Sequence, residues 1–421
     1  MQLSLFRADD GRLPYAVDLT ELFGAYESCL RHKRKTAGAQ AFALDYEENL
    51  MQLKEEMESG RYHPSPCHAF IVRKPVMREI FAAEFRDRVV HHWLIARINH
   101  LFEQLFIEDS YACRVGKGTL FGIRRVEQFM HRATEGYTRQ AYVLRLDIEG
   151  FFMNINRHLL FDRLVRFLEA RYTRSDLPIL VDVLQAVVFS QPTEHCIIKG
   201  HRNNWKGLPP GKSLFHSRPG CGLPIGNLTS QILANFYLHT LDVFVSTLPG
   251  LVGYGRYVDD FVLVHRSREV LSAQIPRIRN FLESELGLRL HPHKIYLQDC
   301  AHGLKFLGAV IRPGRIVAGQ RARKGFMQSV ARHNRVVGKG VPDALQKKQF
   351  QNSMNSYLGL IIHFASYRMR RTIVRRHVRV EWLNYFYPSG GCRKWVAVVR
   401  KTPKSYRGTT RMYYKGRIIY R

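Results

Sequence analysis

The sequence predicts an α+β fold with a largely antiparallel sheet. Strand-like apolar stretches alternate with helical stretches from residue 142 onward, which favours a mixed core. A tight turn at Tyr257-Val258-Asp259-Asp260 lies between two such strands and indicates a hairpin. A length of 421 residues and a hydrophobic content of 45% suffice for a sizeable core and suggest two or three domains.

Two amphipathic helices are predicted near the start of the sequence. Apolar residues recur at helical spacing in 18–35 and in 45–60, and Asp45 with Glu48 predicts a capping box for the second helix. Two prolines then break the pattern, and residues 69–72 indicate a strand that leads into a basic hairpin.

The middle of the chain begins with a helix, a glycine-rich turn and a strand. The apolar positions predict a helix over 86–106, and a basic turn at 111–119 follows it. The strand predicted over 142–148 carries an acid, Asp147, near its end. This acid lies 112 positions before Asp259.

Helices predicted over 157–170 and 176–189 lead into a loop, 191–219, which is rich in proline, glycine, lysine and histidine. Within the loop, residues 207–213 resemble a phosphate-binding P-loop. The two glycines are one residue too close, two prolines remove N–H donors, and no strand precedes the segment. We therefore reject a P-loop here.

The remaining elements continue the alternation. The sequence predicts helices over 229–245, 269–286 and 343–380 and strands over 294–297 and 306–311.

The charge indicates a polyanionic partner. The formal net charge is +30, and residues 368–421 hold 16 lysines and arginines against one acid. Nucleic acid is favoured over an anionic membrane surface, with Arg114, Lys117, Arg368, Arg371 and Arg375 as candidate contacts. Without an 18-residue apolar run or a signal-like segment after Met1, we expect a cytosolic protein.

The cysteines and histidines do not predict a metal site. The seven cysteines are scattered and never spaced as C-x2-C, which fits free thiols in a reducing compartment. The 19 histidines form no matching pairs with zinc-ligand spacing.

The acidic residues indicate the chemistry. Asp259 and Asp260 repel each other unless a metal neutralises them or they share a proton. Together with Asp147 they provide three carboxylates at strand ends, a set that suits two divalent ions and nucleotidyl transfer.

Three motifs in order resemble the palm of reverse transcriptases. They are Leu146–Phe152, Gly222–Gln231 and Tyr257–Asp260. The chain is more closely similar to the reverse transcriptases of diversity-generating retroelements, a resemblance that covers about residues 70 to 375. Most reverse transcriptases carry Gln and Pro where this sequence has Ile225 and Gln231, and the retroelement group has the Ile and Gln forms.

The resemblance implies a right-hand polymerase fold and an RNA-directed DNA polymerase that is bacterial or phage-encoded and cytoplasmic. Two Mg²⁺ ions would be bound by Asp147 and Asp259, with Asp260 as the third carboxylate and the Ile148 carbonyl as a further ligand. The implied partners are template RNA, the RNA/DNA hybrid, deoxynucleoside triphosphates and a small basic accessory protein.

The resemblance also assigns residues around the nucleotide. Arg78 would clasp the triphosphate with help from Lys74, Phe152 would exclude a 2′-hydroxyl, and Lys294 would protonate pyrophosphate. Phe306, Leu307 and Gly308 resemble the primer grip, and Gly226 with Ser230 and Gln231 would line the nucleotide pocket. An aliphatic Ile225 lacks polar contacts to the nucleotide, so we expect misincorporation to rise, and the resemblance implies that it rises opposite template adenines.

The predicted domains follow from the same motifs. They are an N-terminal helical extension (1–60), fingers (61–141), a palm (142–312) with the inserted segment 191–219, a helical thumb (320–384) and a basic extension (385–421).

Three alternatives stay open. A group II intron or retron type of reverse transcriptase is disfavoured by Ile225 and Gln231. A catalytically silent RNA-binding scaffold of the same fold, for instance in phage defence, is disfavoured by the intact acids. A basic RNA-binding protein unrelated to polymerases would require the ordered motifs to be accidental.

Overall fold

The computed structural model describes residues 16–398 except 32 and 75, together with the backbone of 411–414 and 417–420. The chain forms two compact units. The first runs to Leu307 and includes Arg312–Gly314, and the second contains Gly308–Ile311 and continues from Arg315.

Helices make up most of the first unit. They are α1 (Leu19–Leu30), α2 (Ala37–Leu44), α3 (Tyr46–Glu58), α4 (Phe85–Leu105), α5 (Thr119–Ala133), α6 (Phe151–Asn154), α7 (Arg157–Arg171), α8 (Leu177–Val188), α9 (Leu228–Ser246) and α10 (Arg268–Leu286). Its central helices, α4 and α9, contribute many fully buried apolar residues, including Trp93, Ile98 and Leu238. Their burial from water is the main favourable term for this core.

A four-stranded antiparallel sheet lies within the first unit. Its strands are β3 (Tyr142–Asp147), β5 (Gly253–Tyr257), β6 (Asp260–His265) and β7 (Tyr296–Asp299), in the order β5-β6-β3-β7. Both central strands are rich in buried Val, Leu and Phe, as expected for strands covered on both faces. The predicted α+β core with an antiparallel sheet is therefore confirmed.

A smaller sheet carries the basic hairpin. Strands β1 (His68–Val72) and β2 (Arg78–Ala82) pair antiparallel, and β4 (Ile197–Ile198) adds to β1 in parallel. The loop predicted at 191–219 thus contributes a short strand to this sheet. The rest of the loop contains three 3₁₀ turns, at Arg202–Trp205, Pro210–Lys212 and Leu214–His216.

The two glycines of β5 allow close packing beneath the sheet. A β-carbon on Gly253 would lie 2.2 Å from the ring of Phe129, and one on Gly255 would lie 2.1 Å from the Tyr111 hydroxyl. Only glycine lets α5 and the segment before it approach the strand this closely.

The second unit has its own core. It contains β9 (Ala309–Arg312) up to Ile311, β10 (Arg315–Ala318), α11 (Gln320–Val337), α12 (Ala344–Ile361), α13 (Tyr367–Thr372), β11 (Phe386–Ser389) and β12 (Lys394–Ala397), and hairpin strands β13 (Arg411–Tyr414) and β14 (Arg417–Tyr420). Phe350 and Trp382 stack in this core with centroids 4.0 Å apart.

The bounds of two predicted elements are corrected. The helix predicted over 343–380 ends at Ile361, where the Ser366 hydroxyl donates to the Ile361 carbonyl, and a π-helical turn, Ile373–His377, follows α13. The strand predicted over 306–311 is broken by positive φ at Leu307 and Gly308 after β8 (Leu304–Phe306).

The capping box predicted for the helix α3 is absent. The Asp45 side chain makes no capping hydrogen bond, because its backbone (φ −128°, ψ 46°) joins α3 directly to α2. In the described part of the chain, none of the helices has the length and apolarity needed to cross a membrane.

Candidate active site

The acidic turn closes the β5–β6 hairpin. Tyr257 pairs with Asp260, which leaves Val258 and Asp259 as the two-residue connection. Val258 has φ +56°, a conformation that is costly for a β-branched residue. The Arg256 guanidinium donates to the Val258 carbonyl at 3.0 Å and so restrains this turn from below.

Arg256 belongs to a fully buried network. Its Nε and Nη2 atoms each lie 2.6 Å from an oxygen of Asp242, and Nη1 lies 3.2 Å from the Asn235 side-chain oxygen. The Tyr254 hydroxyl also donates to Asp242, at 2.7 Å. The acidic turn is thereby fixed to α9, which carries both Asn235 and Asp242.

The three carboxylates of the prediction lie together at the strand ends. Asp147 on β3 is the direct cross-strand partner of Asp260 on β6, and the Ile148 N–H donates to the Asp259 carbonyl at 3.1 Å. Burial, with repulsion from Asp147 and Asp260, raises the pKa of Asp259 to about 6.

Two cations balance the outer acids. Lys294 Nζ lies 2.7 Å from Asp147 Oδ1. Arg145 meets both oxygens of Asp260 at 2.7 Å through Nε and Nη2, and its Nη1 donates to the Lys305 carbonyl at 2.8 Å. Burial raises the pKa of Asp260, although Arg145 opposes the rise.

The donor set at this site fits a hard divalent cation. Asp147, Asp259 and the Ile148 carbonyl are oxygen ligands of the kind Mg²⁺ prefers, and within residues 16–398 no lysine or arginine forms an ion pair with Asp259. No three His, Cys, Asp or Glu side chains in that described part converge as a ready metal cluster. Asp260 instead faces Arg145, and its role as third ligand stays a prediction.

The residues predicted to line the nucleotide pocket differ in their burial and contacts. Phe152 and Ile225 pack against one apolar cluster that contains Phe81 and Leu214. Gly226 has φ +129°, and a β-carbon there would lie 2.9 Å from the Ile80 side chain. Ser230 is buried on α9, whereas Gln231 is exposed and accepts from the Cys113 thiol at 3.1 Å.

Lys74 and Arg78, at the end of the β1–β2 hairpin, are exposed. Arg78 is near enough to Tyr257 to oppose the rise that burial causes in the pKa of that phenol. The turn predicted as the primer grip has Phe306 buried, with φ of 47° at Leu307 and 84° at Gly308.

The predicted nucleic-acid contacts are divided between the two units. Arg114 is bonded to Glu103 and to the carbonyls of Ile107 and Ser110, and Lys117 is paired with Glu108 at 3.0 Å. The structure therefore gives these two cations contacts within the protein. The other three candidates, Arg368, Arg371 and Arg375, are exposed in the second unit.

Sequence reasoning missed Arg145, the Asn235–Asp242 pair and Glu79, a buried acid on β2. Arg145 precedes Asp147 by two positions in a strand, so the alternation of side chains placed both on one face. Asn235 and Asp242 are seven residues apart in an apolar helix and also share a face. Partner identity depended on strand register and helix packing, which these patterns do not specify.

The chain is similar to known proteins over much of its length. Residues 72–311 match the family model described as reverse transcriptase (RNA-dependent DNA polymerase). Protein YkfC of Escherichia coli (strain K12) is 24% identical over 323 residues, which cover 67% of this chain and 74% of YkfC.

Two matches cover less of the other protein. The group II intron-encoded protein LtrA of Lactococcus lactis subsp. cremoris is 22% identical over 205 residues, which cover 48% of this chain and 29% of LtrA. The solved structure of apo telomerase from Candida tropicalis aligns with a TM-score of 0.47 and 11% identity, covering 70% of this chain and 52% of that chain.

Proposed function

Since this chain belongs to the reverse transcriptase family, we propose that it is an RNA-directed DNA polymerase that copies an RNA template into DNA. Family membership and the antiparallel sheet with its helices confirm the right-hand polymerase fold. The observation that carries the proposal is the meeting of Asp147, Asp259 and Asp260 at adjoining strand ends, with Asp259 half-buried and its pKa raised.

In the proposed mechanism, Asp147, Asp259 and the Ile148 carbonyl would hold Mg²⁺. When bound, the metal would activate the primer 3′-hydroxyl and neutralise charge on the transferring phosphate. Arg78 and Lys74 bind the triphosphate, and Lys294 donates a proton to the leaving pyrophosphate. Phe152 excludes a ribose 2′-hydroxyl, and Arg145 holds Asp260 in place.

The proposed domains keep their predicted bounds. After the N-terminal extension 1–60, the fingers 61–141 and the palm 142–312 carry the nucleotide site, and the thumb 320–384 with the extension 385–421 binds nucleic acid. Arg368, Arg371 and Arg375 are the proposed phosphate contacts in the thumb. A small basic accessory protein is a proposed partner.

Primer extension on an RNA template tests the activity. We expect Mg²⁺-dependent incorporation of deoxynucleotides, with Asp259→Ala reducing the rate about a thousandfold, because bound metal supplies several kcal/mol of transition-state stabilisation. Asp162→Ala, an exposed acid on α7, is the matched control and should keep the wild-type rate. A wild-type protein without incorporation, or an active Asp259→Ala variant, would contradict the proposal.

We further propose that the enzyme is error-prone and serves a diversity-generating retroelement. Ile225 is held in an apolar cluster with Phe81 and Leu214, and its carbonyl accepts from the Phe81 N–H at 2.8 Å. An aliphatic side chain fixed at this position has no hydrogen bond to offer a nucleotide, which supports weak checking of geometry.

The substitution Ile225→Gln tests the error-prone subtype. Restoring one polar contact, worth about 1 kcal/mol, should lower misincorporation opposite template adenine about fivefold in sequenced extension products. Ile275→Gln, a half-buried residue on α10, is the control. An unchanged error frequency at adenines would remove the idea.

A further inference from the structure

A basic loop lies beside the candidate nucleotide site. The basic loop, residues 199–216, contains Lys199, Arg202, Lys206 and Lys212 and no acid. It includes the segment 207–213 that resembles a P-loop. Its position follows from an anchor in β2, an apolar contact and a close approach of two backbones.

Glu79 is the anchor of the basic loop. This carboxylate is buried on β2 and accepts from Trp205 Nε1 at 2.6 Å, from the Ser213 hydroxyl at 2.8 Å and from the Leu214 N–H at 2.5 Å. Neutral donors at three points of the loop hold a buried charge, a directional arrangement that fixes the loop against the strand. The neighbouring residue in β2 is Arg78.

Apolar side chains of the loop pack against residues of the nucleotide site. Leu214 and Trp205 belong to the same cluster as Phe152 and Ile225. The ring of Phe215 also lies 5.4 Å from that of Phe81. Displacement of the loop would therefore remove packing from the two side chains proposed to check the sugar and the base.

The loop backbone reaches the end of the catalytic strand. A β-carbon on Gly150 would lie 2.7 Å from the Gly211 carbonyl oxygen, so the two backbone segments are in direct contact. Gly150 follows Asp147 by three residues, and Lys212 follows Gly211. Lys212 is exposed, and no acid in residues 16–398 forms an ion pair with it.

We propose that the basic loop, held by Glu79, forms one side of the nucleotide site and that Lys212 binds the triphosphate of the incoming nucleotide. An ammonium group beside the strand that carries Asp147 suits phosphate oxygens as a mobile point charge. This inference rests on the proposed polymerase function.

Steady-state primer extension with poly(rA)–oligo(dT) and dTTP tests Lys212. Lys212→Ala should raise the KM for dTTP about tenfold, the size of a lost charge-assisted hydrogen bond. The kcat and the Kd for the template–primer, measured by fluorescence anisotropy, should stay within about twofold. Lys212→Arg keeps the charge and should change KM less than about threefold.

Lys206→Ala is the matched control, because Lys206 is an exposed lysine of the same loop, whereas Lys212 directly follows Gly211, whose carbonyl approaches Gly150. It should leave the KM for dTTP unchanged. A similar rise in KM for Lys206→Ala and Lys212→Ala would show a diffuse effect of charge and would overturn the assignment to Lys212.

Glu79→Gln tests the anchor. Its amide cannot accept all three donors, so we expect a raised KM for dTTP and faster tryptic cleavage at Lys206 and Lys212. Cleavage rates and a KM for dTTP equal to those of the wild type would refute the proposal that Glu79 holds the basic loop beside the nucleotide site.

The outcomes separate the two proposals. A wild-type protein that extends no primer contradicts the polymerase function itself. Active wild-type protein with an unchanged KM in Lys212→Ala overturns only the loop inference. A raised Kd for the template–primer together with an unchanged KM for dTTP also overturns the loop inference, since Lys212 would then contact the nucleic acid strand.

Discussion

Arg145 lies on β3 with its guanidinium against both oxygens of Asp260. A buried carboxylate without such a partner would favour its neutral form. Arg145 thus opposes the rise that burial and the neighbouring Asp147 cause in the pKa of Asp260. Strand alternation in the sequence places Arg145 and Asp147 on one face, but pairing with Asp260 requires the register Asp147↔Asp260, which emerges only in the folded sheet.

His91 on α4 is a second residue whose environment sets its charge. Burial, with Arg88 and His92 nearby, lowers the pKa of His91 to about 3. An unfolded chain binds a proton at this histidine near pH 6.5, whereas the folded protein does not. The neutral form therefore stabilises the fold above pH 6.5, and this stability is lost as the pH falls toward 3.

We predict that His91→Leu flattens the pH dependence of stability. Between pH 6.5 and 5, the wild-type free energy of unfolding should fall more steeply than that of the variant, by up to about 1.4 kcal/mol per pH unit. Urea denaturation at several pH values measures both slopes. His63→Leu removes an exposed histidine and should keep the wild-type slope, and equal slopes for His91→Leu and wild type would disprove the assignment.

At the scale of elements, the contact between α9 and β5 determines where the acidic turn lies. Arg256 and Asp242 are both fully excluded from water. Loss of one partner would leave the other charge buried and unpaired, which is far costlier than loss of a surface ion pair. The strained φ of Val258 depends on the same guanidinium.

We predict that Asp242→Asn lowers the free energy of unfolding by about 3–5 kcal/mol, the cost of leaving Arg256 unpaired. Replacing both partners, as Asp242→Leu with Arg256→Met, should cost less than the sum of the single changes. Urea denaturation gives both values. Glu135→Gln, which breaks the exposed pairs with Arg139 and Arg266, is the control and should cost less than about 1 kcal/mol. Additive effects would refute the pairing.

The elements themselves were predicted unequally. Helices α9 and α10 were placed to within a residue at each end because a long apolar stripe and a terminal glycine or serine mark them. The break at Ile361 was missed, since the apolar stripe of α12 resumes in Ile373 and Val374 after a turn held by Ser366. That hydrogen bond and the buried Arg370 are tertiary features, which periodicity does not report.

At the scale of the molecule, charge is distributed unevenly. Residues 308–398 contain 18 lysines and arginines and only two acids, Asp343 and Glu381. Asp343 caps α12, and Glu381 is paired with Arg379. Most cations within residues 308–398 therefore have no acidic partner, which fits a polyanionic ligand.

The candidate site was predictable as far as its acids. Asp147, Asp259 and Asp260 follow from motif order, and the structure places them together. Glu79 and Asp242 were not predictable, because a lone acid in a sequence resembles a solvated one until burial and donors are known. The role of the basic loop was hidden for a similar reason. Its contact with Gly150 joins segments about 60 residues apart.

The contacts of the site join residues that are far apart in sequence, so they also determine the order in which the site forms during translation. Arg145 meets a partner 115 residues later, Ser110 one 146 residues later, and Asp147 one 147 residues later. Ribosomes add roughly 5–20 residues each second, so the first acid waits many seconds for its lysine. A nascent chain shorter than 294 residues therefore lacks the ion pair between Asp147 and Lys294, which forms only once that lysine has left the ribosomal exit tunnel.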